Sequence, residues 1–445
     1  MQCPKITEGE GFFVVIKREK RDKVRLAYIG VGDRGYRLLN ECFTEMSDVE
    51  VRWLCELDEE KVNKALKIFT DKGLPLPRVT KNYHEALSDP EVDAVAVMTG
   101  WNSHMKITLD SLHANKYTAM EVGCAYDISE CFELLRAHEE TGAPLMMLEN
   151  CCYRRRAMTI LKMVREGLFG EIVYCTGGYA HFLSDKDLFK ENEDGVVDIN
   201  HYRQYEYLYR NAETYPTHEL GPLSKILRIN KGNRFMTLSS FPSKAAGIAD
   251  YMKRKVPADY PLQGKDFKQG DIVTTMITCA NGEIIRLTLD TTLPRPYYSN
   301  EISVRGTRGC CIEEGWRYTY FVEGMKEGHE QWGNEEEMMS KNEHPLFKEY
   351  LRVGYRAGWD GINWLVTRAF IEAVKDGTDT PIDAYDTVTW MAVGPLSEQS
   401  VAEGGKPIPF PDFTRGKWIH REPMYCKYSL DEVCEDLSRP IVPEE

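Results

Sequence analysis

The chain has 445 residues, 42% of them hydrophobic and 28% charged, and carries a formal net charge of −14. That length exceeds one ordinary domain and leaves room for two cores of normal size. No apolar run approaches the roughly 18 to 20 residues that span a bilayer, and an acidic chain without a basic stripe excludes a nucleic-acid partner.

Residues 1–23 read as an amino-terminal extension. They carry charges and no apolar stretch ending in a small-residue cleavage site. No secretory signal is expected there, and the chain as it stands reads as cytoplasmic; a removed export signal would leave the same sequence. The 13 cysteines are an odd number without a CxxC pair, which fits a reduced setting rather than a disulfide framework. The adjacent pairs Cys151-Cys152 and Cys310-Cys311 read as small buried residues rather than metal ligands, so no metal site is expected.

A short apolar strand at 24–30 runs into Gly30-Val31-Gly32-Asp33-Arg34-Gly35, and a helical pattern follows. In that context the glycines allow a tight turn, a close approach of backbone to a pyrophosphate, and close helix packing, while the helix amino end offers free N–H groups. The next strand, 49–55, ends in Glu56, about 20 residues on, the distance of a carboxylate that takes ribose hydroxyls. Glu56 favours NAD over NADP, although Arg52 and Lys61 lie close in sequence. Strands at 94–98, 117–121 and 144–149 alternate with helices at 104–114 and 129–141, which predicts a parallel, doubly wound Rossmann sheet over 24–152. Its ligand belongs beyond the carboxyl ends of the strands, where Glu56, the 99–104 loop with Trp101, Asn102 and His104, Glu121 and Glu149 all fall. The alternative for that loop is a plain helix cap made by Ser103 or Asn102. Arg34 and Asp33 join the cofactor set through the glycine turn.

Over 153–445 the texture changes to an α+β pattern. Strands are expected at 172–179, 235–241, 271–279, 283–290 and 301–306, with Asn281-Gly282 as a hairpin turn, which predicts a mainly antiparallel sheet. Helices at 361–375 and 384–403 pack back on the body, and 406–414 is a proline-rich surface strap. Polar and aromatic residues cluster here: Tyr179 and His181, His201-Tyr202-Arg203, Tyr215-Pro216-Thr217-His218, and Arg295-Pro296-Tyr297-Tyr298. A polyol site needs such donors, acceptors and aromatic faces. His181 and His201 are as well read as structural hydrogen bonders. Tyr215 and His218, three apart at the mouth of a helical segment, reach one side of one site and are the candidate proton-transfer pair.

With these residues in place, the chain resembles the Gfo/Idh/MocA oxidoreductases over nearly its whole length, and within them the family-109 glycoside hydrolases. The matching stretches include 30–35, 55–58, 101–104, 121–124, 149–155, 201–203, 215–222 and 293–299, and 390–413 with its Pro-Leu-Ser-Glu and Pro-Phe-Pro-Asp strings. Most dehydrogenases of the larger group carry Glu-Lys-Pro where this chain has Glu121-Val122-Gly123, and the family-109 hydrolases are similarly without that lysine. The 356–360 string is a further departure, where the family tends to a histidine-glycine stretch.

The resemblance implies an NAD cofactor, a small sugar or glycoside as substrate, pairing of subunits into a homo-oligomer, and α-N-acetylgalactosaminidase or a related glycosidase activity. Its chemistry is transient oxidation at C3 by NAD⁺, which acidifies the C2 proton; loss of that proton expels the C1 group, water adds, and the hydride returns. No pair of carboxylates flanking the glycosidic bond is required. The resemblance also implies a sugar site lined by Arg203, Tyr215, His218 and Tyr297, with Tyr179, His181 and Glu149 near it; Tyr215 and His218 then act around C2 and O3. The competing reading is a sugar or polyol dehydrogenase with net NADH production, and a third is a non-catalytic sensor on the same fold.

Overall fold

The computed structural model describes residues 18–191, 197–199, 201–315, 317–325, 332–435, 437 and 441. Most of the stretch in which no secretory signal is expected therefore lies outside the described residues.

Six parallel strands, β1 (Val24–Ile29), β2 (Val49–Cys55), β3 (Arg78–Thr80), β4 (Ala94–Val97), β5 (Tyr117–Met120) and β6 (Leu145–Met147), form one sheet in the order β3-β2-β1-β4-β5-β6. β4, β5 and β6 are buried along their whole length. Such strands carry continuous apolar runs because helices cover both faces. The strand order reverses between β1 and β4, which opens the ligand crevice of a doubly wound sheet at their carboxyl ends. The helix Glu59–Asp71 and the short β3, which the apolar pattern did not reveal, complete the β2 edge.

The second sheet has eight strands: β7 (Ile172–Ala180), β8 (Phe235–Pro242), β9 (Ile272–Cys279), β10 (Ile284–Asp290), β11 (Ser303–Gly306), β12 (Gly309–Glu314), β13 (Arg317–Val322) and β14 (Ile408–Pro409). It is mainly antiparallel as expected, with one parallel pair between β7 and β10. Burial alternates along β9 and β10, so one face is covered and the other open. The Asn281-Gly282 turn joins β9 to β10, with Gly282 at φ +99°.

Two expectations change. The single helix at 384–403 is two, Ala384–Met391 and Val393–Ala402. Pro395 has no N–H for the Met391 carbonyl, which accepts instead from Ala125 N at 3.4 Å and Cys124 Sγ at 3.3 Å. The surface strap is more deeply set than a surface element: Ile408, Phe410 and Phe413 are buried, and β14 pairs with β8.

Late elements lock the halves together around the crevice. The helix Ile362–Asp376 is buried almost throughout, and its Arg368 donates Nη1 to Asp48 Oδ1 at 2.6 Å, before β2. The helix Thr217–Ile226 is held from its far end by Lys225, whose buried ammonium donates to Asp386 Oδ2 at 2.6 Å and Asp431 Oδ1 at 3.0 Å. Buried charges of this kind are tolerated only when paired and hydrogen-bonded.

Candidate active site

The glycine turn follows β1 as predicted. Gly30 has φ +94°, a region open to glycine and costly for other residues. A Cβ on Gly35 would lie 2.5 Å from the Gly30 carbonyl oxygen, whereas one on Gly32 would meet nothing within 4 Å. The turn thus combines a closely packed glycine with an open one at the amino end of the helix Asp33–Glu41, the shape that admits a pyrophosphate. Glu56 stands beside it, accepting from Val31 N at 2.8 Å and Leu57 N at 2.7 Å. Arg52 is turned away onto Asp89 at 2.8 Å, and Lys61 lies 3.7 Å from Asp58. Neither is directed at a phosphate on the ribose, which agrees with NAD. Asp33 is exposed beside Lys190, and Asn102 is exposed at the crevice.

On the far side of the crevice, Arg34 donates Nε to Glu121 Oε1 at 2.9 Å and Nη1 to Asn363 Oδ1 at 3.0 Å; Asn150 shares that Asn363 oxygen at 2.8 Å. Asn150 and Asn363 carry no sequence signature for this role. The helix after β4 begins at Trp101, three residues earlier than the periodicity indicates, and is capped by Gly100 rather than Ser103 or Asn102. The cause is Trp101, whose buried indole donates to Val122 O at 3.0 Å. A Cβ on Gly123 would sit 3.1 Å from that indole, so the departure at Gly123 makes room for the tryptophan. His104 is buried, and burial lowers its pKa and keeps the ring neutral.

The sugar-side candidates converge above these strand ends. Glu149, fully buried after β6, takes the His218 Nδ1 proton donor at 2.8 and 2.9 Å and accepts from Cys151 N at 2.9 Å. Tyr215 presents its hydroxyl 3.5 Å from His218 Nε2. Its ring lies between Tyr179, 4.2 Å away centroid to centroid, and Trp101, 5.7 Å away. Arg203 lies over Tyr215, Trp101 and Tyr202 at 5.1 to 5.7 Å and donates to Asp187 Oδ2 at 2.6 Å. Tyr179 shares a hydrogen bond with His181 Nδ1 at 3.2 Å. His201 lies further out, 3.3 Å from Asp187.

Tyr297 is a correction. It lines a cavity with Tyr174, Thr176, Arg286 and Arg305 on the open face of the second sheet. Its neighbour Tyr298 meets the site instead, 5.8 Å from Tyr179 and 5.1 Å from His181, held by Asn300 Nδ2 at 2.9 Å. Tyr297 lies in a bend just before the bridge of Ser299 to Ala180, and two consecutive tyrosines give no signal as to which one turns inward.

Electrostatics give the pair a definite starting state. Burial opposes the charge on His218, but neighbouring Cys151 and the Glu149 carboxylate, with the hydrogen bonds they accept, outweigh it and push its pKa up to about 10. Burial likewise opposes the Glu149 carboxylate, and His218 holds it below the usual range. Burial, with Tyr179, pushes the Tyr215 hydroxyl well up. At neutral pH the site thus holds an imidazolium on a carboxylate beside a neutral phenol. Behind it, burial drives the Glu213 carboxyl up to about 8.

Gly221 sets the approach of the His218 helix, since a Cβ there would lie 2.9 Å from both Glu149 Cγ and Cys152 Sγ. Gly221→Ala is therefore expected to displace Glu149 and lower kcat roughly ten- to a hundredfold with NAD affinity unchanged. Steady-state kinetics and cofactor titration of that variant check it, and an unchanged kcat would show that the pair tolerates the shift.

A glycine cradle at a Rossmann switch point, facing an aromatic pocket built around an imidazole–carboxylate pair, defines an NAD-binding enzyme. Comparison with known proteins makes the class specific. Residues 24–149 match the oxidoreductase family NAD-binding Rossmann fold, and residues 153–420 match the glycosyl hydrolase 109 C-terminal domain. The chain belongs to the glycosyl hydrolase 109 family, binds NAD and is an NAD-dependent glycosidase. It is 35% identical to an alpha-N-acetylgalactosaminidase of Tannerella forsythia over 90% of this chain and 88% of that one. It is 37% identical to a glycosyl hydrolase family 109 protein of Stenotrophomonas maltophilia over 91% and 92%. Among solved structures, a levoglucosan dehydrogenase in complex with NADH and levoglucosan superposes with a TM-score of 0.63 at 16% identity, covering 88% of this chain and 100% of that one. An NAD-binding oxidoreductase from Klebsiella pneumoniae gives 0.66 at 13%, with coverage of 88% and 100%. At such identities these two likenesses show the fold. Among the described residues no helix is long and apolar enough to cross a membrane, and every cysteine is free.

Proposed function

We propose that this enzyme removes α-linked N-acetylgalactosamine, or a closely related sugar, from glycosides by transient oxidation and elimination, with Tyr215 and His218 handling the protons. The observation that carries the reading is the line Tyr215–His218–Glu149 beside a strand end that has Val122 in place of an amine. Bound NAD⁺ supplies the hydride acceptor for C3 and returns the hydride at the end of the cycle. His218 starts protonated and is the donor to the oxygen leaving C1. Once neutral, with Nδ1–H still on Glu149, it exposes Nε2 as the base that activates the incoming water. Tyr215 rests as a neutral phenol and must first give its proton to solvent, as the O3 proton does when C3 is oxidised; the phenolate, stabilised by Arg203 over its ring and by the imidazolium beside it, then takes the proton made acidic at C2. Arg203, Tyr179, His181 and Tyr298 provide the hydroxyl and acetamido contacts. Arg34, Glu56, Trp101, Asn102 and Glu121 frame the cofactor. The second reading is net oxidation of a sugar or polyol, which an oxidoreductase-type NAD-binding domain is equally able to serve.

Aryl glycosides of N-acetylgalactosamine separate the two. With catalytic NAD⁺, the expected result is release of phenol without accumulation of NADH. Stoichiometric NADH without phenol would establish the dehydrogenase, and neither product across a panel of sugars would leave the sensor reading.

A further inference from the structure

Glu149, Cys151 and His218 bring a carboxylate oxygen, a thiol sulfur and an imidazole nitrogen to within 4.8 Å of one another. Adjacent cysteines in a sequence without CxxC spacing read as core, and Cys152 is core, packed beneath the Gly221 position. Cys151 differs. It is 1% exposed, but its sulfur faces the acid–imidazole pair, because Glu149 caps the turn Asn150–Tyr153 and folds the cysteine back toward itself.

We propose that Glu149, Cys151 and His218 form a binding site for a thiophilic divalent cation, Zn²⁺ in the first instance, inside the sugar pocket. The donor set is the argument. Mixed sulfur, nitrogen and oxygen ligands suit zinc rather than magnesium or calcium, which take oxygen alone. Tetrahedral zinc with bonds of about 2.0 to 2.3 Å needs donors about 3.3 to 3.7 Å apart. The His218 and Glu149 atoms stand 2.8 to 2.9 Å apart, so they need open by only about half an ångström as the hydrogen bond between them is replaced by two metal bonds. One Glu149 oxygen is already anchored by Cys151 N–H at 2.9 Å, which leaves the other to the metal. The fourth position is left to water, which completes the tetrahedron.

Charge balances as well. The Cys151 thiol and the His218 imidazolium each release one proton to solvent, and the resulting thiolate with the Glu149 carboxylate neutralises the cation. Three ligands and an open fourth position are the pattern of an accessible zinc site rather than a closed structural one. The ion and the proton on His218 exclude each other, so zinc occupies the pocket in place of the proton-transfer state. The site does not depend on which sugar reaction the enzyme performs.

The test uses the chelator-treated full chain with NAD⁺ present, titrated with zinc chloride by calorimetry and with cobalt chloride by absorption. One zinc per chain is expected, together with a thiolate-to-cobalt charge-transfer band. In Cys151→Val the band disappears and zinc affinity falls by about tenfold or more. His218→Gln gives the same losses and serves as the second variant if Cys151→Val does not fold, which circular dichroism reports. No zinc heat and no cobalt band with the wild-type chain overturns the proposal, and so does undiminished binding in both variants, which would place the metal at another thiol. Because binding is read without turnover, its failure leaves the glycosidase reading intact, and failure of that reading leaves the zinc site standing.

Discussion

His218→Asn is expected to fold, to bind NAD normally and to turn over aryl glycosides about a thousandfold more slowly than the unaltered chain. Asparagine can still donate an N–H toward Glu149, which is fully buried and cannot be left bare, but it cannot carry a proton between substrate and solvent. Alanine is the harsher change. It strands the carboxylate, at a cost of about 3 to 5 kcal/mol, so a falling melting temperature would accompany the lost activity and obscure it. The pH profile sharpens the test. The His218 pKa is raised in the folded chain to about 10, above the value of about 6.5 it has when unfolded. Its contribution to stability is therefore complete below about 6.5 and is lost as the pH rises through about 10. Activity that needs the imidazolium should fall over the same alkaline limb, and that limb should vanish from the residual activity of His218→Asn. Full turnover in the variant would remove His218 from the mechanism.

What could be read from the sequence follows from how local each feature is. The Rossmann sheet was legible because its strands are unbroken apolar runs and its cofactor signature lies within one strand–turn–helix unit, Val24 to Glu41, plus one carboxylate at Glu56. Tyr215 and His218 were legible for the same reason, since they share one helix start. The residues that were missed act across the fold. Asn363 reaches Arg34 and Asn150 from a helix more than 200 positions downstream, and Cys151 acquires its role only when the helix Thr217–Ile226 docks on Glu149. Tyr297 and Tyr298 show the limit most simply: a one-residue choice of face is set by the bend before Ser299, and composition is silent on it. Of the short strands that were missed, β12 opens on Gly309 and β14 is two residues ending in Pro409, which leaves little alternation to read, whereas β13, Arg317–Val322, alternates and was legible in principle.

The cofactor turn gives the other large effect, and it separates binding from folding. Gly35→Ala places a methyl 2.5 Å from the Gly30 carbonyl oxygen and 3.1 Å from Met98 Cβ. Backbone cannot yield as a flexible side chain can, so the helix Asp33–Glu41 must lift off the sheet, at about 1 to 3 kcal/mol of stability. The N–H groups at its amino end move with it, and NAD affinity should fall by more than about tenfold, or 1.4 kcal/mol. Gly32→Ala meets no protein atom within 4 Å and has φ −61°, which any residue adopts. That variant should melt with the unaltered chain and still lose NAD affinity, because its methyl enters the space through which the pyrophosphate approaches the helix. Thermal melts and NAD titrations of the two variants side by side decide the matter. If Gly32→Ala binds NAD as tightly as the native chain, the pyrophosphate does not lie over this turn and the cofactor must be placed elsewhere in the crevice.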